Sequence, residues 1–166
     1  MAEEGKIRAY GTATWNGYRV SPEDREYLSL HELLKTAEGA GKGNHHFKAV
    51  QLPYNLGMAE AYAASNQVLG SQTLSLLEAA KANGIAVFTS ASILQSRLAR
   101  NLPAVVGETF TGLETDAQRA IQFVRSTPGV TAVLVGMKRK QHVEENLKVA
   151  RVAPVSPEKV EALFKD

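Results

Sequence analysis

The sequence contains no cysteine, which removes disulfide frameworks and thiolate metal centres at the outset. A cysteine-free chain fits a reducing compartment, and the expected location is cytoplasmic. No apolar run approaches the roughly 20 residues that a membrane-crossing helix needs, and the opening Met-Ala-Glu-Glu-Gly-Lys has no signal-peptide core. No membrane partner is therefore expected. Charge of one sign is also scarce, with a net +2 and neither a basic stripe nor a reader motif, which argues against nucleic acid. The first 20 residues lack the Gly-rich turn of dinucleotide-binding open sheets, and no Gly-x-Ser-x-Gly turn announces a serine hydrolase. His45-His46 has no third ligand nearby and adjacent side chains on an extended segment diverge, so no metal site is expected. Tryptophan occurs once, at Trp15, where packing and the mouth of a site are both open readings.

What is present is an alternation of short apolar strands with amphipathic helices, the pattern of a parallel sheet covered by crossover helices. Strands are expected at residues 7–13, 47–52, 85–89 and 130–135, and helices at 28–37, 74–83, 115–124 and from Lys140 onward. Ser156-Pro157 opens a terminal helix with proline just inside its start. No low-complexity linker interrupts residues 1–166, so a single domain is expected. Four strand–helix units with a C-terminal helix make half of an eightfold (β/α)8 TIM barrel, with a doubly wound sheet as the alternative.

The most informative stretch runs from Thr131 to Leu147, where a strand passes through Gly136 into a helix whose first turn carries Lys138, Arg139, Lys140 and His142. Cations oppose the positive end of a helix dipole unless an anion sits among them. Free backbone N–H groups and basic side chains at a helix start form a phosphate site. A solvated basic turn without a ligand is the other reading of the same residues. Barrels place phosphate sites after their last strands, which is where this stretch lies.

Ile7-Arg-Ala-Tyr-Gly-Thr, Val50-Gln-Leu-Pro-Tyr-Asn-Leu, Gly84-Ile-Ala-Val-Phe-Thr and the Val133–Leu147 stretch, in this order, resemble the C-terminal half of aldo-keto reductases. The resemblance implies a (β/α)8 barrel that reduces carbonyls with NADP(H). It implies that Lys138, Arg139 and His142 surround the adenosine 2′-phosphate and that Glu145 and Asn146 meet the adenine. His142, Glu145, Asn146 and Val149 share one helical stripe, which permits this. It further implies that Gln51 bonds the nicotinamide carboxamide, and that the segment holding Ser90, Ser92 and Ser96 cradles the pyrophosphate, with Arg97 as an added charge.

Two departures accompany the resemblance. The family's Ser-Asn pair falls on Ala13-Thr14, and its stacking aromatic falls on Ser90. The proton-donating Tyr with its Lys, Asp and His partners belongs to strands of the N-terminal half, so no catalytic residue is assigned here. Three readings follow: a truncated or split reductase that needs a complementary N-terminal half before it can take a carbonyl substrate, a noncatalytic nucleotide-binding module or scaffold, and a half-barrel that self-associates. The expected partners are accordingly that half-barrel or a second copy of the chain, because a four-stranded half leaves edges and an inner face uncovered.

Overall fold

A computed structural model describes residues 1–2, 4–41 and 43–165. Six strands and seven helices follow one another: β1 Tyr10–Ala13, α1 Leu30–Gly41, β2 Phe47–Pro53, α2 Glu60–Ala63, β3 Ser65–Leu69, β4 Gln72–Ser75, α3 Leu76–Ala82, β5 Ala86–Ser90, α4 Ala104–Thr109, α5 Asp116–Ser126, β6 Ala132–Val133, α6 Lys140–Leu147 and α7 Pro157–Ala162, with a 3-10 turn at Lys148–Arg151. The main sheet has the order β1-β2-β5-β6, and every pair in it is parallel. Each new strand joins the same side of the sheet. A doubly wound sheet would reverse direction part-way, so this order is that of a barrel segment. Among the described residues, no helix is long and apolar enough to cross a membrane.

Alternation within the strands divides the sheet into two unlike faces. In β2 and β5, Val50, Leu52, Val87 and Thr89 are buried, while Ala49, Gln51, Ala86, Phe88 and Ser90 between them are only half-buried. Val50, Leu52 and Val87 pack in one cluster with Leu30 and Leu34 of α1, Leu76, Leu77 and Ala80 of α3, and Ile121 and Val124 of α5. Burying such side chains contributes about 1.5–3 kcal/mol each, which fixes strand register. The other face carries the cross-strand row Ala13, Gln51, Phe88 and Ala132, one residue from each strand, none of them fully buried.

Capping boxes set the starts of α3 and α5. Ser75 accepts from the Glu78 backbone N–H while the Glu78 carboxylate accepts from Ser75 N–H, and Thr115 makes the same reciprocal pair with Gln118. Gly84, at φ 63°, supplies the left-handed residue between α3 and β5.

Four expectations shift. The first strand begins at Tyr10 rather than Ile7, and the last is reduced to Ala132–Val133, because Leu134 donates to Thr89 O and ends the regular pairing. Leu74 belongs to a strand rather than to a helix. The antiparallel β3–β4 hairpin was not anticipated, since its buried residues Asn66 and Gln67 are polar. They are accommodated because Asn66 donates to Tyr18 O (3.1 Å) and Val20 O (2.8 Å), and Gln67 accepts from Leu30 N–H (2.8 Å). This polar network, with Tyr27 donating to Asn66 O at 2.6 Å, ties the hairpin to the segment after β1.

Gly11 lies where β1 and β2 meet most closely: an added Cβ would stand 1.9 Å from Ala49 O, whereas one at Gly39 in α1 would meet nothing within 4 Å. Gly11→Ala should lower the urea midpoint by displacing β1, with a loss of several kcal/mol. Gly39→Ala should raise it, with a gain in stability of about 0.5–1 kcal/mol, because alanine favours an exposed helix interior. Equal effects in equilibrium unfolding would contradict this register.

Candidate functional site

The segment between β5 and α4 is where the backbone departs furthest from ordinary geometry. Five of its non-glycine residues have positive φ: Ala91 (54°), Leu94 (43°), Gln95 (51°), Ser96 (69°) and Asn101 (59°). Left-handed conformations cost an L-residue roughly 1 kcal/mol or more and persist only where the surroundings impose them. Three bonds do so here. Asn55 Nδ2 donates to Ala91 O (3.0 Å), the buried Ser92 hydroxyl donates to Leu134 O (3.1 Å), and Leu102 N–H donates to the Asp116 carboxylate (3.1 Å).

Opposite this segment, α6 begins without the usual capping chemistry. Its N-cap is Arg139, whose side chain makes no capping bond, and its first turn holds no acidic residue. Lys138, Arg139 and Lys140 are all exposed around that positive end; Lys140 pairs with Glu144 at 3.4 Å, while Lys138 and Arg139 oppose the helix dipole. Glu145 anchors the helix: its carboxylate accepts from the Thr115 hydroxyl at 2.6 Å, and its backbone carbonyl accepts from Gln118 Nε2 at 2.8 Å. The C-terminal half of α6 is thereby tied to the start of α5. Backbone donation from Leu102, joined by the Arg119 guanidinium at 2.8 Å, holds the Asp116 carboxyl below the ordinary aspartate range.

Between the strained segment and α6 lies a cavity of about 420 Å³, lined by Ile93, Ser96, Ala99 and Arg100 on one side, Ala117 below, and Gly136, His142, Glu145 and Asn146 on the other. Four residues expected from the sequence, Ser96, His142, Glu145 and Asn146, therefore meet in one place. Lys138 and Arg139 stand on the same helix start but outside the cavity lining. A second, apolar groove of about 840 Å³ runs along the free edge of β6 and shares Gly136 and Asn146 with the first. Ser90 lines that groove, and Gln51 lies on the open sheet face beside Phe88. Gln51 O accepts from Thr14 N–H at 3.0 Å, while its side-chain amide bonds no group among the described residues. The Ser92 hydroxyl is committed to Leu134, so only its backbone remains for a ligand.

Sequence reasoning missed Arg100 and Phe88. Arg100 sits in an irregular segment where spacing says nothing about direction, and Arg97 drew attention instead although it does not line the cavity. Phe88 was within reach, since strand alternation puts it on Gln51's face.

No protein-family model matches the chain, and no curated protein matches it. Solved structures do. A thermostable aldo-keto reductase, Tm1743, in complex with the inhibitor epalrestat superposes at a TM-score of 0.65 with 21% identity, over 98% of this chain and 49% of that one. The chain has an aldo-keto reductase-like fold. An aldo-keto reductase from Klebsiella pneumoniae in complex with NADPH matches at a TM-score of 0.64 with 22% identity, over 99% of this chain and 49% of that one. The holo form of the aldo-keto reductase AKR11C1 from Bacillus halodurans matches at 0.61 with 14% identity, over 98% and 52%. This chain spans about half the length of these proteins, and at such identities the likeness establishes the fold alone.

The Asp116 environment has a measurable consequence. Because its pKa is depressed on folding, the stabilisation is present above the unfolded-state pKa of about 3.9 and is lost as pH falls through the lower folded value. Asp116→Asn should therefore be less stable than the parent at neutral pH, with the difference shrinking as pH falls below about 4. Thermal melts across pH 3–7 measure this, and a constant difference across the range would count against it.

Proposed function

We propose that this chain carries the NADP(H)-binding part of a carbonyl-reducing barrel. The observation that supports the reading most is the cavity at α6, where Ser96, Arg100, His142, Glu145 and Asn146 converge beside an uncapped helix start crowded with cations. That donor set fits a nucleotide bearing an extra phosphate. Lys138, Arg139 and His142 would hold the 2′-phosphate through charge-assisted bonds, with the helix N–H groups adding their dipole. Glu145 and Asn146 would take the adenine, Glu145 through the carboxylate oxygen that Thr115 does not use. Ser96, Ser90 and the backbone at Ser92 would follow the pyrophosphate, and Gln51 would offer both donor and acceptor to the carboxamide. When bound, NADPH supplies a hydride.

Reduction of a carbonyl also needs an acid beside the hydride-accepting carbon. None of the tyrosines of this chain stands there. Tyr18 and Tyr54 are fully buried, and burial pushes the Tyr54 hydroxyl far above its ordinary pKa. Tyr27 and Tyr62 are bonded to Asn66 and Glu161, and Tyr10 packs edge-on against Phe47 at the opposite end of β1 from the site. The proton donor would come from strands that these four do not include, so the chain alone would bind the cofactor without turning over a carbonyl. A complementary half-barrel would supply the donor.

Calorimetric titration tests the reading. NADPH should bind at least about tenfold more tightly than NADH, and Arg139→Ala should erase most of that preference, a charge-assisted bond being worth about 1.5–3 kcal/mol. NADPH oxidation in the presence of a panel of aldehydes and ketones should stay at background. Equal affinities for the two nucleotides would overturn the cofactor assignment, and sustained turnover would overturn the missing-donor argument.

A further inference from the structure

The N-cap of α5 serves two helices. Thr115 Oγ1 accepts from Gln118 N–H at 3.3 Å and, with its one proton, donates to Glu145 Oε1 of α6 at 2.6 Å. Gln118 is 1% exposed and its amide is used at both ends: Oε1 accepts from Glu114 N–H (2.8 Å) and Thr115 N–H (3.3 Å), and Nε2 donates to Glu145 O (2.8 Å). Glu145 is therefore held twice, by its backbone carbonyl and by one carboxylate oxygen. Its other oxygen, Oε2, and the side-chain amide of Asn146 bond no group among the described residues, and both residues line the 420 Å³ cavity.

An ionised carboxylate only accepts hydrogen bonds, and with two free oxygens it matches two adjacent donors. The ring N–H and amino group of guanine form such a pair. Adenine instead offers one exocyclic amino donor beside a ring nitrogen that accepts. Thr115 leaves Glu145 a single free oxygen, and Asn146, the next residue, adds an amide that can donate. One acceptor beside one donor is the complement of the adenine edge. We propose that Thr115 is a positioning residue that sets base selection in the cavity at α6: by occupying Oε1 it limits Glu145 to one further hydrogen bond, which favours adenine over guanine. Gln118 fixes the backbone from which that carboxylate reaches. The inference rests on the cofactor reading and deepens it: there Lys138 and Arg139 choose the phosphate, while Thr115, on another element, chooses the base.

Calorimetric titration of the chain compares NADPH with reduced nicotinamide guanine dinucleotide phosphate, so that the 2′-phosphate is common to both. The parent should prefer adenine by at least about tenfold, because guanine leaves a polar group unpaired against a charged acceptor. Thr115→Val frees Oε1 and should cut that preference at least about fivefold, whereas Thr115→Ser keeps the hydroxyl and should retain it. Neither should change the preference for NADPH over NADH. Thr115→Val also removes the α5 cap, so Glu145→Gln supplies a variant that keeps it. There Oε1 still accepts from Thr115 while an amide nitrogen replaces the free oxygen, and the position donates instead of accepting. Adenine binding should then fall by at least about tenfold and guanine binding, whose ring carbonyl accepts, should fall less. A parent indifferent to the base, or variants that weaken both nucleotides alike or leave the base preference unchanged, would overturn the role of Thr115 and leave the cofactor reading standing. A parent that binds neither nucleotide would overturn the cofactor reading and this inference with it.

Discussion

Everything in this molecule depends on the difference between the two faces of one parallel sheet. Val50, Leu52 and Val87 are driven beneath α1, α3 and α5, and that burial decides which residues remain on the opposite side. A one-residue slip of β2 would move Gln51 into the apolar layer, where an unbonded amide is costly, and Val50 into water. The hydrophobic effect thus places a polar group at the centre of the open row by fixing the residues on either side of it. The same parallel order sends the segments after β1, β5 and β6 to one end of the sheet, so residues far apart in sequence share one surface.

At that end the chain accepts local costs. Left-handed residues from Ala91 to Asn101 and cations at the positive end of α6 are both unfavourable; Asn55, Leu134 and Asp116 hold the first, and Thr115 and Gln118 hold the body of α6 through Glu145. The strained segment contributes Ser96 and Arg100 to the cavity and α6 contributes His142, Glu145 and Asn146, while Lys138 and Arg139 stand just outside it. Glu145 shows how support and recognition overlap. One carboxylate oxygen braces α6 against α5, so substituting Glu145 would disturb the helix position as well as any contact to a base.

The fold was legible wherever periodicity and burial agree. The alternation of Ala86 to Ser90 and the helical spacing from Asp116 to Val124 each have one dominant environment, and there the sequence speaks plainly. The β3–β4 hairpin was opaque because its buried residues are Asn66 and Gln67, whose partners Tyr18, Val20 and Leu30 lie more than 30 residues away and cannot be inferred from local pattern. Of the site, the basic turn at Lys138 was visible as a conflict between charge and helix dipole, a local rule broken in a local window. The cavity wall at Arg100 was not, because irregular backbone carries no period from which to infer direction.

An open inner face also shapes what binding can accomplish. Gln51 and Phe88 are half-buried at the centre of a row that ends in small residues, the exposed Ala13 and the half-buried Ala132. While that face is wet, water competes for both ends of the amide and a hydrogen bond there contributes about 1 kcal/mol or less. The cavity at α6 would differ on the proposed reading, because recognition there would rest on several charges and a helix dipole acting together. Affinity for a dinucleotide would therefore concentrate at the phosphate and adenine end, with the ring end held loosely until another layer of strands excludes water. Covering the face lowers the local dielectric and strengthens the Gln51 bond without changing a residue. On the proposed reading, covering this face and orienting a nicotinamide ring at Gln51 would be one physical event, because the same exclusion of water strengthens the amide's bond.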